Sequence, residues 1–249
     1  MHNKPVALVT GANKGIGLQI AKDLSGHGFT VLLGSRDLEN GQAAAGSLDS
    51  DVHAIQLDVT EQSSVNAAAE RIRSEFGRLD VLINNAGVSH ADKAGASFEE
   101  IMKSNPLTVA SLDEVRAVWD TNVFGIIAVT QAMLPLLREA PAARIVTVGS
   151  GAGSLTLNSD PASDWRHMFG NYTASKTAAH AVTLAFALAL EPEGIKVNIA
   201  CPGYTATALN NFTGGRTVEQ GARRAVELAL LDVDGPTGTF SSDDGPIAW

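Results

Sequence analysis

The sequence predicts an α/β protein built on one doubly wound, parallel sheet of about seven strands with helices on both faces. Three observations predict it. Short β-rich runs alternate with longer helical patterns from start to finish. The strand candidates are nearly all apolar, as in a parallel sheet covered on both sides. A glycine-rich stretch, TGANKGIG at 10–17, joins the first strand to the first helix.

Each element has its own signal. Pro5–Thr10 is apolar and stops at Gly11, which reads as a first strand. Ile16–His27 carries Ile16, Ile20 and Leu24 at helical spacing and halts at Gly28. Thr30–Ser35 is a second strand and His53–Val59 a third. Thr60 is placed to cap a helix running through Phe76. Leu79–Asn84 is a fourth strand. Ser111 and Glu114 have capping-box spacing and open a long helix toward Pro135. Arg144–Val148 is a fifth strand, Asn171–Leu190 a long helix and Lys196–Cys201 a sixth strand. Thr217–Leu231 is a last helix and Gly238–Ser241 a final edge strand. No repeat or low-complexity linker interrupts this order, so residues 1–249 read as one domain. Val88–Ala110 and Gly151–Gly170 are longer than ordinary connections. Both follow the carboxyl end of a strand, where open α/β sheets bind ligands.

Composition narrows the function classes. The chain has 249 residues, 45% of them apolar, enough for a sizeable core. Its formal charge of −9 leaves no basic footprint for nucleic acid. The single cysteine, Cys201, excludes a disulfide framework and lies in an apolar strand, so it reads as a small packed hydrophobe. The N-terminus runs straight into a strand without a secretory pattern, and the longest apolar stretch, within Ala178–Leu190, is too short to span a bilayer. A cytoplasmic protein with no membrane or nucleic-acid partner is expected. The histidines show no metal-ligand spacing, and no metal site is expected. His167 stands near Tyr172 and could line a pocket.

In the glycine loop, Gly11 permits a tight turn, while Gly15 and Gly17 let the backbone approach a phosphate at the helix N-terminus. The TGxxxGxG spacing resembles the cofactor loop of the short-chain dehydrogenases/reductases. Further segments extend the likeness in order. Asp58 and Val59 resemble the pair whose aspartate binds adenine. Asn84–Gly87 resembles the family's NNAG segment, and Asn122 in TNVFG its helix asparagine. Tyr172–Lys176 is a YxxxK signature, and Pro202, Gly203 and Thr207 resemble its PGxxxT stretch. The resemblance spans roughly residues 5–245. It implies a Rossmann-type fold and a nicotinamide cofactor held by Gly11, Asn13, Lys14, Gly15, Ile16, Gly17, Ser35, Arg36, Asp58, Val59, Asn85, Ala86, Gly87, Tyr172, Lys176, Pro202, Gly203, Thr205 and Thr207. An acid at the end of the second strand would repel a 2′-phosphate. Ser35 and Arg36 stand there instead, with Lys14 nearby, so NADPH/NADP+ is the expected cofactor. Asp37 competes by offering Arg36 an ion pair.

Tyr172 and Lys176 share a helix face. A nearby ammonium is expected to lower the phenol's pKa and suit it to pass a proton to a carbonyl oxygen. The family places a carbonyl-polarising serine past the fifth strand. Ser150 matches that place, 22 residues before Tyr172. Ser159, 13 before it, has the spacing of members without an insertion. The strand end is the more rigid mount and favours Ser150. Asn122 is expected to hold a water linking Lys176 to solvent. The implied activity is hydride transfer to a ketone or aldehyde, giving an alcohol. The alternatives are an NADP-linked alcohol dehydrogenase working oxidatively and a catalytically silent NADPH sensor. Phe98, Ile101, Met102, Pro106 and Leu107 in the first long segment, and Leu155, Leu157, Trp165, Met168 and Phe169 in the second, would shape a pocket for a small-molecule carbonyl substrate, a medium or bulky hydrophobic ketone. So would Tyr204 and Phe212. The same residues could instead anchor the loops on the core. Pairing through the two long helices makes a homo-oligomer, dimer or tetramer, the expected assembly over a monomer.

Overall fold

The computed structural model describes residues 4–48, 51–91, 97–163 and 165–249. The side chains of Phe98 and Met102, expected at a pocket, lie outside the described residues. The strands are β1 (Val6–Val9), β2 (Thr30–Ser35), β3 (Val52–Gln56), β4 (Val81–Asn84), β5 (Arg144–Val148), β6 (Lys196–Ala200), β7 (Phe240–Ser242) and β8 (Gly245–Pro246). They form one sheet in the order β3-β2-β1-β4-β5-β6-β7-β8. All pairs are parallel except β7 with β8. The order reverses between β1 and β4, which opens a crevice beyond their carboxyl ends.

Nine α-helices are described: α1 (Gly15–Gly26), α2 (Leu38–Ala45), α3 (Gln62–Phe76), α4 (Phe98–Ser104), α5 (Leu112–Trp119), α6 (Gly125–Leu137), α7 (Leu155–Ser159), α8 (Asn171–Leu190) and α9 (Val218–Ala229). The pleat splits the strand residues between two cores. Val6, Leu8, Leu82, Ile145 and Val197 face α3, α6 and α8. Ala7, Val9, Ile83, Val146 and Ala200 face α1 and α9. This two-sided burial explains why the strands read as unbroken apolar runs.

The structure departs from the sequence reading at defined points. A helix, α2, fills Leu38–Ala45, with the Asp37 carboxylate capping it through the Asn40 N–H at 2.9 Å. The third strand ends at Gln56, because Asp58 turns the chain. Thr60 does not cap α3: its N–H and hydroxyl both donate to Asp58 Oδ1, at 3.0 and 2.7 Å, and Glu61 is the cap residue. The helix from Ser111 is one continuous run, but its centre widens into a π turn over Asp120–Phe124. Its capping box is half made. Ser111 accepts from the Glu114 N–H, while the Glu114 carboxylate is engaged by the Ala91 N–H. The run Leu112–Leu137 is longer than the Ala178–Leu190 stretch and, by length and composition, apolar enough to cross a membrane; its 18-residue window of mean hydropathy 1.3 is half buried in the fold. The last edge belongs to the two-residue β8 rather than to β7.

Candidate active site

The candidate residues gather at the carboxyl edge of the sheet, on the loops after β1 to β6, on the π turn that carries Asn122 and on α8, which carries Tyr172 and Lys176. The glycine loop after β1 is latched to the loop after β4. Thr10 Oγ1 accepts from the backbone N–H groups of Asn85 and Ala86, at 3.0 and 2.9 Å. Asn85 Nδ2 donates to the carbonyls of Thr10 and Gly11, at 2.8 and 3.0 Å. Gly11 has φ +60°, and a β-carbon there would lie 2.9 Å from Ala86 Cα. Lys14 precedes α1 in extended conformation, with no side-chain cap and no acid in the first turn. That end of α1 keeps its N–H groups and positive field available to an anion. Thr207 lies against this loop, its Cγ2 3.6 Å from where a Gly15 β-carbon would stand. The cradle therefore fits the pyrophosphate of a dinucleotide; beside it Asn13 is half-buried, Ile16 packs on the core and Gly17 is buried against Asn85.

At the end of β2, Arg36 is exposed. The competing ion pair does not form among the described residues, since Asp37 caps α2 instead. Ser35 is buried and its hydroxyl donates to the Asp37 carbonyl at 2.6 Å, so it shapes the turn rather than offering itself to a ligand. Thr205 is likewise turned inward, donating to the Pro202 carbonyl at 2.9 Å. Gly203, with φ +68°, is overlaid by Arg216, which pairs with Asp243. Asp58 stays half-buried and Val59 buried, the latter packed under Gly125.

Tyr172, Lys176, Ser150 and Asn122 converge. Tyr172 and Lys176 sit one turn apart on α8, with Nζ 5.9 Å from the phenol ring centroid. Lys176 is buried, and its Nζ donates to the Val148 carbonyl at 3.0 Å. The Ser150 side chain follows β5 and stands beside the Tyr172 phenol, where its hydroxyl favours the ionised form. Two further carriers went unread in the sequence. Asn105 accepts the Tyr172 N–H through Oδ1 at 3.1 Å and the Asn171 N–H through its carbonyl at 2.7 Å, tying the long segment after β4 to the tyrosine. His180 accepts the Ser150 N–H at 3.3 Å. Neither pattern is visible locally, because each joins residues far apart in the chain.

The electrostatics differ from expectation. Burial, not the lysine, dominates Tyr172 and pushes its pKa up to about 12. Burial also pulls Lys176 down to about 8. The phenol is therefore held protonated at neutral pH, the state a proton donor needs. Asn122, buried at the π turn, binds the Val88 N–H with Oδ1 at 2.9 Å and gives Nδ2 to the Val88 carbonyl and Ser175 Oγ. A β-carbon on Gly87 would meet Asn122 Oδ1 at 3.4 Å and Lys176 Nζ at 3.5 Å, so the two side chains converge over that glycine. π turns recur at functional sites because they re-aim a side chain. Ser159 is exposed and donates to the Thr156 carbonyl at 3.1 Å, within a cleft of about 510 Å³ lined by Leu155, Asn158, Arg166 and Phe169. His167 is exposed and does not line that cleft. Cys201 is buried as expected, accepting the Gly151 N–H at 3.1 Å.

A family model described as short chain dehydrogenase matches residues 5–215. The chain belongs to the short-chain dehydrogenase family. Curated members of this family align along nearly its whole length. The (+)-neomenthol dehydrogenase of Capsicum annuum is 31% identical, covering 94% of each chain. The short-chain dehydrogenase anuI of Penicillium roqueforti is 34% identical, covering 91% of this chain and 88% of the relative. Among solved short-chain dehydrogenases/reductases, salutaridine reductase from Papaver somniferum superposes with TM-score 0.79 at 30% identity, covering 96% and 100% of the two chains. A 3-ketoacyl-(acyl-carrier-protein) reductase from Brucella melitensis, complexed with NADH, gives TM-score 0.78 at 25% identity over 96% of each chain. As a short-chain dehydrogenase/reductase the protein is an oxidoreductase.

Proposed function

We propose that this protein is an NADPH-dependent carbonyl reductase that converts a ketone or aldehyde to an alcohol. The observation that carries the reading is the meeting of Ser150, Tyr172 and Lys176 at the end of β5, beside the latched glycine loop. The loop residues Gly11–Gly17, with Asn85–Gly87 and Thr207, would hold the dinucleotide. A bound nicotinamide would supply the hydride.

This chain's residues supply the rest. Ser150 donates to the carbonyl oxygen and orients it, an oxyanion-type role. Tyr172, protonated at working pH, gives its proton to that oxygen as it gains charge. Lys176 steadies the phenolate left behind, and its ammonium then becomes worth more than in water because the site is dry. Asn122 holds Val88 and Ser175 in place over Gly87, keeping the lysine's route to solvent ordered.

The NADPH preference rests on Arg36 and Lys14. Both are exposed at the rim of the cradle, and Asp37 is turned away into a helix cap. The hydrophobic substrate rests on the long segments. Leu107, Leu155, Trp165, Tyr204 and Phe212 are exposed rather than buried, with Phe212 at 70%. Only a minority, such as Ile101, anchor their loop in the core. We read both segments, 88–110 and 151–170, as insertions of one domain that border the substrate site. Leu112, Phe124 and Leu188 remain exposed on the long helices and support a homo-oligomer. A cytoplasmic setting accords with the buried, unpaired Cys201.

The test is NADPH consumption, with NADH in parallel, across aryl ketones, keto esters, diketones, quinones and aldehydes. Turnover with an NADPH preference is expected. Tight NADPH binding without turnover on any carbonyl would overturn the enzymatic reading in favour of a sensor.

A further inference from the structure

We propose that His180 is a positioning residue for Ser150, fixing the serine's main chain at the end of β5 through its Nε2. The inference rests on the reading of Ser150 as the group that polarises the carbonyl.

The α8 face that carries Tyr172 and Lys176 continues, one turn on, to His180. The histidine is 3% exposed. Two of these side chains hold successive points of the segment leaving β5. Lys176 takes the Val148 carbonyl at 3.0 Å, and His180 Nε2 accepts the Ser150 N–H at 3.3 Å. A nitrogen that accepts carries no proton, so the ring proton of the neutral imidazole sits on Nδ1.

The chain is shaped around this ring. A β-carbon on Gly149 would stand 2.6 Å from Nε2, and one on Gly153 would stand 2.8 Å from Cε1. The run Gly149-Ser150-Gly151-Ala152-Gly153 thus wraps the imidazole on two sides, and larger residues at 149 or 153 would push it off. Behind the ring, Phe240 packs against it tilted by 45° at 4.4 Å between centroids and Trp249 meets it edge-on at 6.5 Å. The same C-terminal segment pins the far side of the wrap. Ser154 Oγ donates to the Ala248 carbonyl at 2.6 Å and the Thr156 N–H to that of Trp249 at 2.7 Å. Ser150 is then held from both sides: its N–H by His180, and its Oγ by the Ala152 N–H at 3.2 Å, which leaves the hydroxyl proton free to donate. Burial and the Lys176 charge keep the imidazole neutral, its pKa lowered to about 3, so it stays an acceptor at any working pH.

A histidine that merely fills the core would look similar in one variant, so the test is a double-mutant cycle. His180→Phe keeps a ring for the stack and removes the acceptor. His180→Gln restores an acceptor near the Nε2 position. Each is made in wild type and in Ser150→Ala, with kcat and KM on the best ketone, NADPH affinity by fluorescence and Tm as readouts. The expected result is a roughly tenfold fall in kcat for His180→Phe, NADPH affinity within about twofold of wild type, substantial recovery in His180→Gln, and no further loss when His180→Phe is added to Ser150→Ala. An equal fold loss in both backgrounds, or Gln no better than Phe, would overturn the proposal and leave the serine's role standing. Full activity in Ser150→Ala alone would remove the serine assignment itself, and the inference with it. Should His180→Phe fail to fold, His180→Asn, whose shorter amide cannot reach the Ser150 N–H, replaces it in the same cycle.

Discussion

Asn85 occupies the space that a side chain on Gly17 would need: a β-carbon there would stand 2.3 Å from Asn85 Nδ2. The same β-carbon would press on the Gly11 carbonyl at 2.7 Å, so the glycine loop and the loop after β4 are packed as one unit. Gly17→Ala should therefore break both hydrogen bonds that the Asn85 side chain donates to the loop. The expected cost is about 1–3 kcal/mol, read as a lower Tm, together with weakened NADPH binding. An unchanged Tm and affinity would show that the latch is dispensable.

Tyr172→Phe removes the proposed proton donor and keeps the ring beside Lys176. Turnover should fall by about 100-fold or more while NADPH affinity holds. Stopped-flow and fluorescence titration measure the two separately, and near-wild-type turnover would refute the tyrosine's role.

Arg36→Ala should raise the KM for NADPH by roughly tenfold and leave that for NADH nearly unchanged, because only NADPH carries a 2′-phosphate for the guanidinium. Equal changes for both cofactors would take Arg36 out of that contact.

Ser150→Ala and Ser159→Ala discriminate the rival serines. The first should lose about 100-fold in kcat, as one oxyanion donor is worth. The second removes a hydroxyl that is exposed and satisfied by the Thr156 carbonyl, and turnover should persist. The reverse pattern would move the polarising role to the loop.

The pH profile of stability follows from His180. Its folded pKa, about 3, lies below the ordinary 6.5, so between those values the unfolded chain binds the extra proton. Stability should then be fully present above pH 6.5 and decline as pH falls toward 3, by an amount on the order of a few kcal/mol. Tm measured across this window should fall less steeply in His180→Phe than in wild type. Identical slopes would mean that the imidazole is not held neutral.

Much of this was legible in the sequence because the informative spacings are local. The strands sit between two cores and read as apolar runs, and the Tyr172–Lys176 pair is separated by one helical turn. The α2 helix was missed although Asp37 announced it. Its segment, Leu38–Ala45, carries Gly41 and too few apolar residues for a periodic stripe, and its stability comes from docking on β2 and β3. The π turn that re-aims Asn122 leaves no mark in residue type. Nor could position reveal what Asn105 and His180 do, since the tyrosine held by Asn105 lies 67 residues along the chain. The expected drop in the Tyr172 pKa failed for a different reason: spacing reports the neighbouring charge but not the loss of solvent, and here the second effect is larger.

The ring stack behind Ser150 has a bearing on how the molecule is made. Phe240 and Trp249, which close over His180, stand far beyond it in sequence, whereas the glycine loop and its Asn85 latch lie within residues 10–85. The cofactor half can organise on a nascent chain, but the serine's support waits for Phe240 and Trp249 to emerge. Folding that depends on such distant pairings is slow. A variant lacking Trp249 would retain its sheet and lose part of the brace behind Ser150, so the order of that serine depends on a residue the sheet itself does not need.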